Sequence, residues 1–125
     1  MKYLLDVNAL LAGIIANHPQ HGVAARWLKN KAVATCPISE LGFLRISTHP
    51  KAYALSMQLA REALQAFIST HKAEFFPADM PALGSASARS DEVTDMYMAE
   101  LAGRKKLKLA TFDSGIDHPA AELIA

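Results

Sequence analysis

Four carboxylates in this 125-residue chain occupy positions that ordinary surface placement does not explain. Asp6 follows the apolar Tyr3-Leu4-Leu5 and precedes Val7, Asn8 and the apolar run Ala9-Leu10-Leu11-Ala12. A charge left unpaired at the end of a buried strand costs several kcal/mol. Asp113 closes a second apolar stretch in "KLATFDSG" (108–115). Glu40 falls in the first turn of a helix expected over 38–47, after the short apolar "AVATC" (32–36). Asp95 lies one turn into a helix expected to start from an N-cap at Ser90 and run to about 102. Positions 95, 98, 99 and 102 share one helical face. Met98, Ala99 and Ala102 make that face apolar, so it carries the carboxylate toward a core.

Four acids drawn to one place repel one another, and some would have to protonate. A divalent cation resolves the conflict. A set of oxygen donors without Cys or His partners suits Mg²⁺, with Mn²⁺ as a substitute. The matching chemistry is metal-assisted phosphodiester hydrolysis, in which the metal lowers the pKa of the attacking water. Taken singly, each acid also has an ordinary explanation. Asp6 can cap the helix that follows it, and Asp113 can form an Asx-turn before Gly115. Glu40 can serve the helix dipole, and Asp95 can pair with an arginine.

The elements that must position these residues alternate. Strands are expected at 2–6, 32–36, within "AEFFPAD" (73–79), at 107–111 and in the C-terminal "AELI". Helices are expected at 8–16, 21–30, 38–47, 54–71 and 90–102. In the long helix Leu55, Leu59, Leu64 (or Ala63), Phe67 and Ile68 follow helical spacing, and Gly103 suits the C′ position of the last helix. Strands separated by helices imply an α/β fold with a mostly parallel sheet covered on both faces. In such sheets ligands bind outside the carboxyl ends of the strands, where Asp6 and Asp113 sit.

Composition narrows the classes. With 51% hydrophobic and 20% charged residues the chain can bury a core, and its length fits a single domain over 1–125. The net charge of +1 gives no global pull on nucleic acid, so any such contact must be local. One cysteine, Cys36, excludes an internal disulfide. The N-terminal apolar run is broken by Asp6 and Asn8, and no apolar run reaches the roughly 18 residues of a membrane span. The expectation is a soluble cytoplasmic protein with no membrane partner. His18 and His21, spaced H-x-x-H, lack the further ligands a zinc site needs. His49, His71 and His118 fall in turns or at helix ends as solvated side chains. "GRKKLK" (103–108) fits a solvated helix end better than an RNA contact, and Trp27 fits a core better than a stacking platform. Arg45, beyond Glu40 on the same helix, is the better candidate to meet a phosphate or an acid.

The order strand-Asp-x-Asn, helix-borne Glu, helix-borne Asp and "T-x-D" after a strand resembles the PIN domain. Within it the chain is most similar to VapC-type toxin ribonucleases of bacterial toxin–antitoxin pairs. The matching segments are "LLDVNALLA" (4–12), "ATCPISELGFLRIS" (34–47) and "VTDMYMAELA…LKLATFDSGI" (93–116). The resemblance implies a three-layer α/β/α fold with a central sheet of about five strands in the order 3-2-1-4-5. It implies an Mg²⁺-dependent endoribonuclease whose acidic cluster is Asp6, Glu40, Asp95 and Asp113, with Asp6 and Asp95 as the foremost metal ligands. Asn8 and Thr111 would support the site. An RNA substrate, a cognate antitoxin protein and a homodimer are implied as partners. Ser114 stands where close relatives often carry a basic residue after the last Asp.

Two other classes compete. An aspartate-based phosphohydrolase of the haloacid-dehalogenase type needs a second Asp two residues after the first, where this chain has Asn8. A receiver needs a Lys after a late strand, and "TFDSGIDHP" offers none. A PIN-like binding or processing module without a toxin role would keep the fold and cut nothing.

Overall fold

The computed structural model describes residues 1–87 and 89–125. The described residues form five strands and five α-helices. They are β1 (Lys2–Leu5), α1 (Val7–Ile14), α2 (His21–Leu28), β2 (Ala32–Thr35) and α3 (Pro37–Ser47). Then follow α4 (Met57–His71), β3 (Glu74–Phe75), α5 (Val93–Arg104), β4 (Lys108–Thr111) and β5 (Ala121–Leu123). The strands form one sheet in the order β3-β2-β1-β4-β5, parallel at every pairing. This is the 3-2-1-4-5 order that the resemblance implies.

Side chains alternate across a strand, and the sheet uses both faces. Leu5 and Ala110 point into a core filled by Leu10, Leu11, Phe43, Leu64 and Phe67 from α1, α3 and α4. Their neighbours Leu4 and Leu109 point the other way, onto Met98, Leu101 and Ala102 of α5. Helices therefore cover the sheet on both sides. The edge strands β3 and β5 are only two and three residues long. Among the described residues no helix is long and apolar enough to cross a membrane.

Several local expectations shift. The long helix begins at Met57, because the Ser56 hydroxyl caps it by accepting the Leu59 N–H at 3.1 Å. Leu55 thus precedes the helix, and Leu59 is 53% exposed, while Ala60, Leu64 and Phe67 form the buried stripe. The cap fixes where the helix starts, and Leu55 and Ile68 still pack against the core. Ser90 opens a single 3-10 turn (Ser90–Glu92) and makes no side-chain cap. Gly103 lies inside α5. Lys106, at φ 61°, takes the left-handed C′ position, closed by bonds from Leu107 N to Ala102 O (2.7 Å) and Lys106 N to Gly103 O (3.1 Å).

One close approach fixes the geometry above the sheet. A Cβ on Gly42 of α3 would stand 2.9 Å from Val7 Cγ1 and nearer still to Cγ2. The absence of a side chain lets α3 settle against the first turn of α1, directly beside Asp6.

Candidate active site

The chain enters α1 straight from β1, and Asp6 is the residue between them. Its backbone N–H still bonds to Ala110 O of β4 (3.2 Å), which seats it in the sheet. Its Oδ1 accepts the Ala9 N–H at 2.7 Å, the N-cap bond of α1. The buried Thr111 hydroxyl, at the end of β4, favours the charged form of the same carboxylate. Thr111 Oγ1 also accepts the Asp113 N–H at 3.0 Å. Asp113 Oδ1 accepts the Gly115 N–H at 2.8 Å in an Asx-turn. The helix-cap and turn explanations of these two acids therefore hold, and they hold alongside the clustering.

Asp95 arrives from the first turn of α5. Met98, Ala99 and Ala102 on its face are fully buried, and they press that face onto the sheet as their spacing predicts. The result is a cavity of about 310 Å³ lined by Asp6, Asp95 and Asp113 together with Val7, Asn8, Leu11 and Ile46. Asp6 is 3% exposed, and its pKa is pushed up to about 6. Burial is the main cause. The bonds from Thr111 and Ala9 pull the other way, and the charges of Asp95 and Asp113 add to the rise. Asp95 is also raised, by burial first and then by Asp113 and Glu92.

Three carboxylates at the carboxyl ends of two central strands, on a 3-2-1-4-5 parallel sheet, form a recognisable combination. A family model described as "PIN domain" matches residues 3–122. The chain belongs to the PIN domain family. Ribonuclease VapC39 of Mycobacterium tuberculosis (strain ATCC 25618 / H37Rv) is 36% identical over a 136-residue alignment, covering 99% of this chain and 98% of that protein. Ribonuclease VapC29 of the same strain is 35% identical over 125 residues, covering 94% and 90%. Among solved structures, VapBC2 from Rickettsia felis, bound to a DNA fragment from their promoter, superposes with a TM-score of 0.66. It covers 98% of both chains at 17% identity and speaks for the fold. FitAcB from Neisseria gonorrhoeae superposes at 0.61, with 22% identity, over 92% of this chain and 89% of that one.

Within this PIN domain the remaining expected residues take distinct places. Asn8 is on the cavity wall. Glu40 is not; its Oε2 accepts a 2.6 Å bond from the Thr35 hydroxyl at the end of β2. Arg45 lines an adjoining groove of about 360 Å³ with Val7, Ile38, Leu41, Gly42 and Thr94. Val7 borders both spaces, so Arg45 flanks the acidic cavity without lining it. Arg89, unremarkable in the sequence, lies near enough to raise interest, but it is bridged to Asp91 (2.7 Å) and Glu92 (3.7 Å).

The donors are of the kind a hard divalent cation takes: all are carboxylate oxygens, and Asp6 and Asp95 are raised by burial first, with neighbouring carboxylates adding to the rise. Among the described residues no group of three or more His, Cys, Asp or Glu is arranged to enclose an ion.

His18 and Gln20 carry a further feature that sequence reasoning passed over. Both bond to the Asn8 amide from the loop between α1 and α2. The signal that could have found them is the dipeptide His-Pro. It occurs at 18–19, 49–50 and 118–119, and each time the His Nδ1 accepts the N–H of the residue after the proline at 3.0 Å.

Proposed function

We propose that this PIN domain is an Mg²⁺-dependent endoribonuclease and the toxin of a type II toxin–antitoxin pair. The observation that carries the reading is the meeting of Asp6, Asp95 and Asp113 in one cavity at the carboxyl ends of β1 and β4. The relatives named ribonuclease over nearly the whole chain support it.

Asp6 and Asp95 would hold the metal, Asp6 from a strand end and Asp95 from a helix, so both mounts are rigid. The metal, when bound, would acidify a water and offset charge on the phosphate. Asp113 would orient that water from the end of the neighbouring strand β4. Thr111 keeps the Asp6 carboxylate ionisable by donating to it. Asn8 would donate an amide N–H to an anionic oxygen, and Arg45 would pair with a neighbouring phosphate of the RNA along the adjoining groove. Glu40, held at the end of β2 by the Thr35 hydroxyl, would reach the metal through water. A cytoplasmic homodimer held silent by a small antitoxin completes the reading.

The test is cleavage of labelled RNA with Mg²⁺, with Mn²⁺ and with chelator. Activity that requires the metal and falls by about 100-fold or more in Asp6→Asn is expected. Equal activity of wild type and Asp6→Asn overturns the nuclease reading. Co-purification with the product of a short adjacent reading frame tests the toxin role.

A further inference from the structure

The loop between α1 and α2 closes a ring of hydrogen bonds on Asn8. Gln20 N–H donates to His18 Nδ1 at 3.0 Å. A neutral imidazole with one nitrogen accepting must carry its proton on the other. His18 Nε2 is therefore the donor in its 3.0 Å bond to Asn8 Oδ1. Asn8 Nδ2 then donates to Gln20 Oε1 at 3.3 Å, which returns to the residue where the ring began. Proline at position 19 has no N–H to compete for Nδ1. The loop itself is pinned by His21, whose Nδ1–H donates to Ala12 O of α1 at 2.7 Å. Burial and the neighbouring His21 hold His18 below its ordinary pKa, in the neutral form that the ring needs.

An asparagine amide can otherwise flip its oxygen and nitrogen at little cost. Here the oxygen is claimed by a donor and one N–H by an acceptor. The second N–H remains on a side chain that lines the cavity beside three carboxylates. A flipped Asn8 would set its carbonyl oxygen against Gln20 Oε1 and its N–H against the His18 donor.

We infer that His18 and Gln20 are positioning residues that lock the Asn8 amide with an N–H presented to the reacting phosphate. This rests on the nuclease reading above, which leaves the roles of His18 and Gln20 unassigned. Neither residue touches substrate; both act through Asn8.

The experiment combines a kinetic cycle with side-chain NMR on the full chain. His18→Ala and Gln20→Ala should each lower kcat about tenfold, the equivalent of one hydrogen bond, with KM within about twofold. Gln20→Glu keeps the acceptor and should retain kcat within about threefold of wild type. In an Asn8→Ala background, adding His18→Ala should change kcat by less than about twofold, because the residue it acts through is gone. Full additivity in that cycle overturns the positioning role, since a loop that merely folds better would cost the same in either background. Nitrogen-15 spectra should show His18 unprotonated at Nδ1 and the Asn8 side-chain amide shifted in His18→Ala and Gln20→Ala. A His18 protonated at Nδ1, or Asn8 signals untouched by both variants, overturns the ring. If the wild type cuts no RNA, the nuclease reading fails, and the spectra alone decide the ring.

Discussion

Removing the charge at Asp6 should make the metal-free protein more stable while destroying its activity. The carboxyl has a pKa of about 6 in the fold against 3.8 when free. At 1.36 kcal/mol for each tenfold change in proton affinity, ionised Asp6 opposes folding by about 3 kcal/mol. The sign follows from which state binds more protons. Between pH 3.8 and about 6 the folded chain holds a proton that the unfolded chain has released, so stability falls as pH rises through that window and then levels off. The raised Asp95 acts in the same direction. Asparagine keeps an oxygen for the Ala9 N–H but meets the Thr111 hydroxyl less well, which trims the gain to between about 1 and 3 kcal/mol. Urea unfolding in chelator, at pH 4 and pH 8, measures this directly. Asp6→Asn should exceed wild type at pH 8 and nearly match it at pH 4. Adding Mg²⁺ at pH 8 should stabilise the wild type by mass action and the variant much less. A variant that is equal to or weaker than wild type at pH 8 in chelator would refute the claim that the cavity carries uncompensated charge.

Other outcomes follow from particular contacts. Gly42→Ala should lose about 1–2 kcal/mol in urea unfolding, because the added methyl collides with Val7, and Val7→Ala in the same chain should recover part of the loss. Thr111→Val removes the donor that lowers the Asp6 pKa and the acceptor for the Asp113 N–H. The acid limb of its pH–rate profile should move to higher pH and its kcat should fall about tenfold or more. Ser56→Ala strips the cap of α4 far from the cavity and should cost about 1 kcal/mol of stability with RNA cleavage unchanged.

The topology and most of the cavity were legible in the sequence for physical reasons. β1, β2 and β4 are short apolar runs separated from one another by helices, and chain connectivity leaves few ways to arrange them. Asp6 and Asp113 were visible because a charge after a buried strand needs a reason, and Asp95 because its helical face is otherwise apolar. Glu40 was harder. Its helix was right, but the Thr35 hydroxyl, presented by β2, draws the carboxylate back to the strand end. The start of α4 turned on a single cap, Ser56, and the end of α5 on a lysine in a left-handed conformation that sequence preference would assign to glycine. The ring around Asn8 depends on how a breaker-rich loop folds back, which periodicity does not encode, although the recurring His-Pro dipeptide marks where to look.

The brevity of β3 and β5 has a consequence for the protein at high concentration. The outer strand of any open sheet presents unpaired backbone groups on which a foreign strand can grow, and that is the usual start of fibrous aggregation. Here one border offers two residues and the other three, and Glu74 and Glu122, both exposed, place a charge on each. Too few successive groups are on offer to template a growing strand. A chain whose Leu4, Leu5, Val33 and Leu109 would aggregate readily if displayed thus keeps its most adhesive sequence in the middle of the sheet.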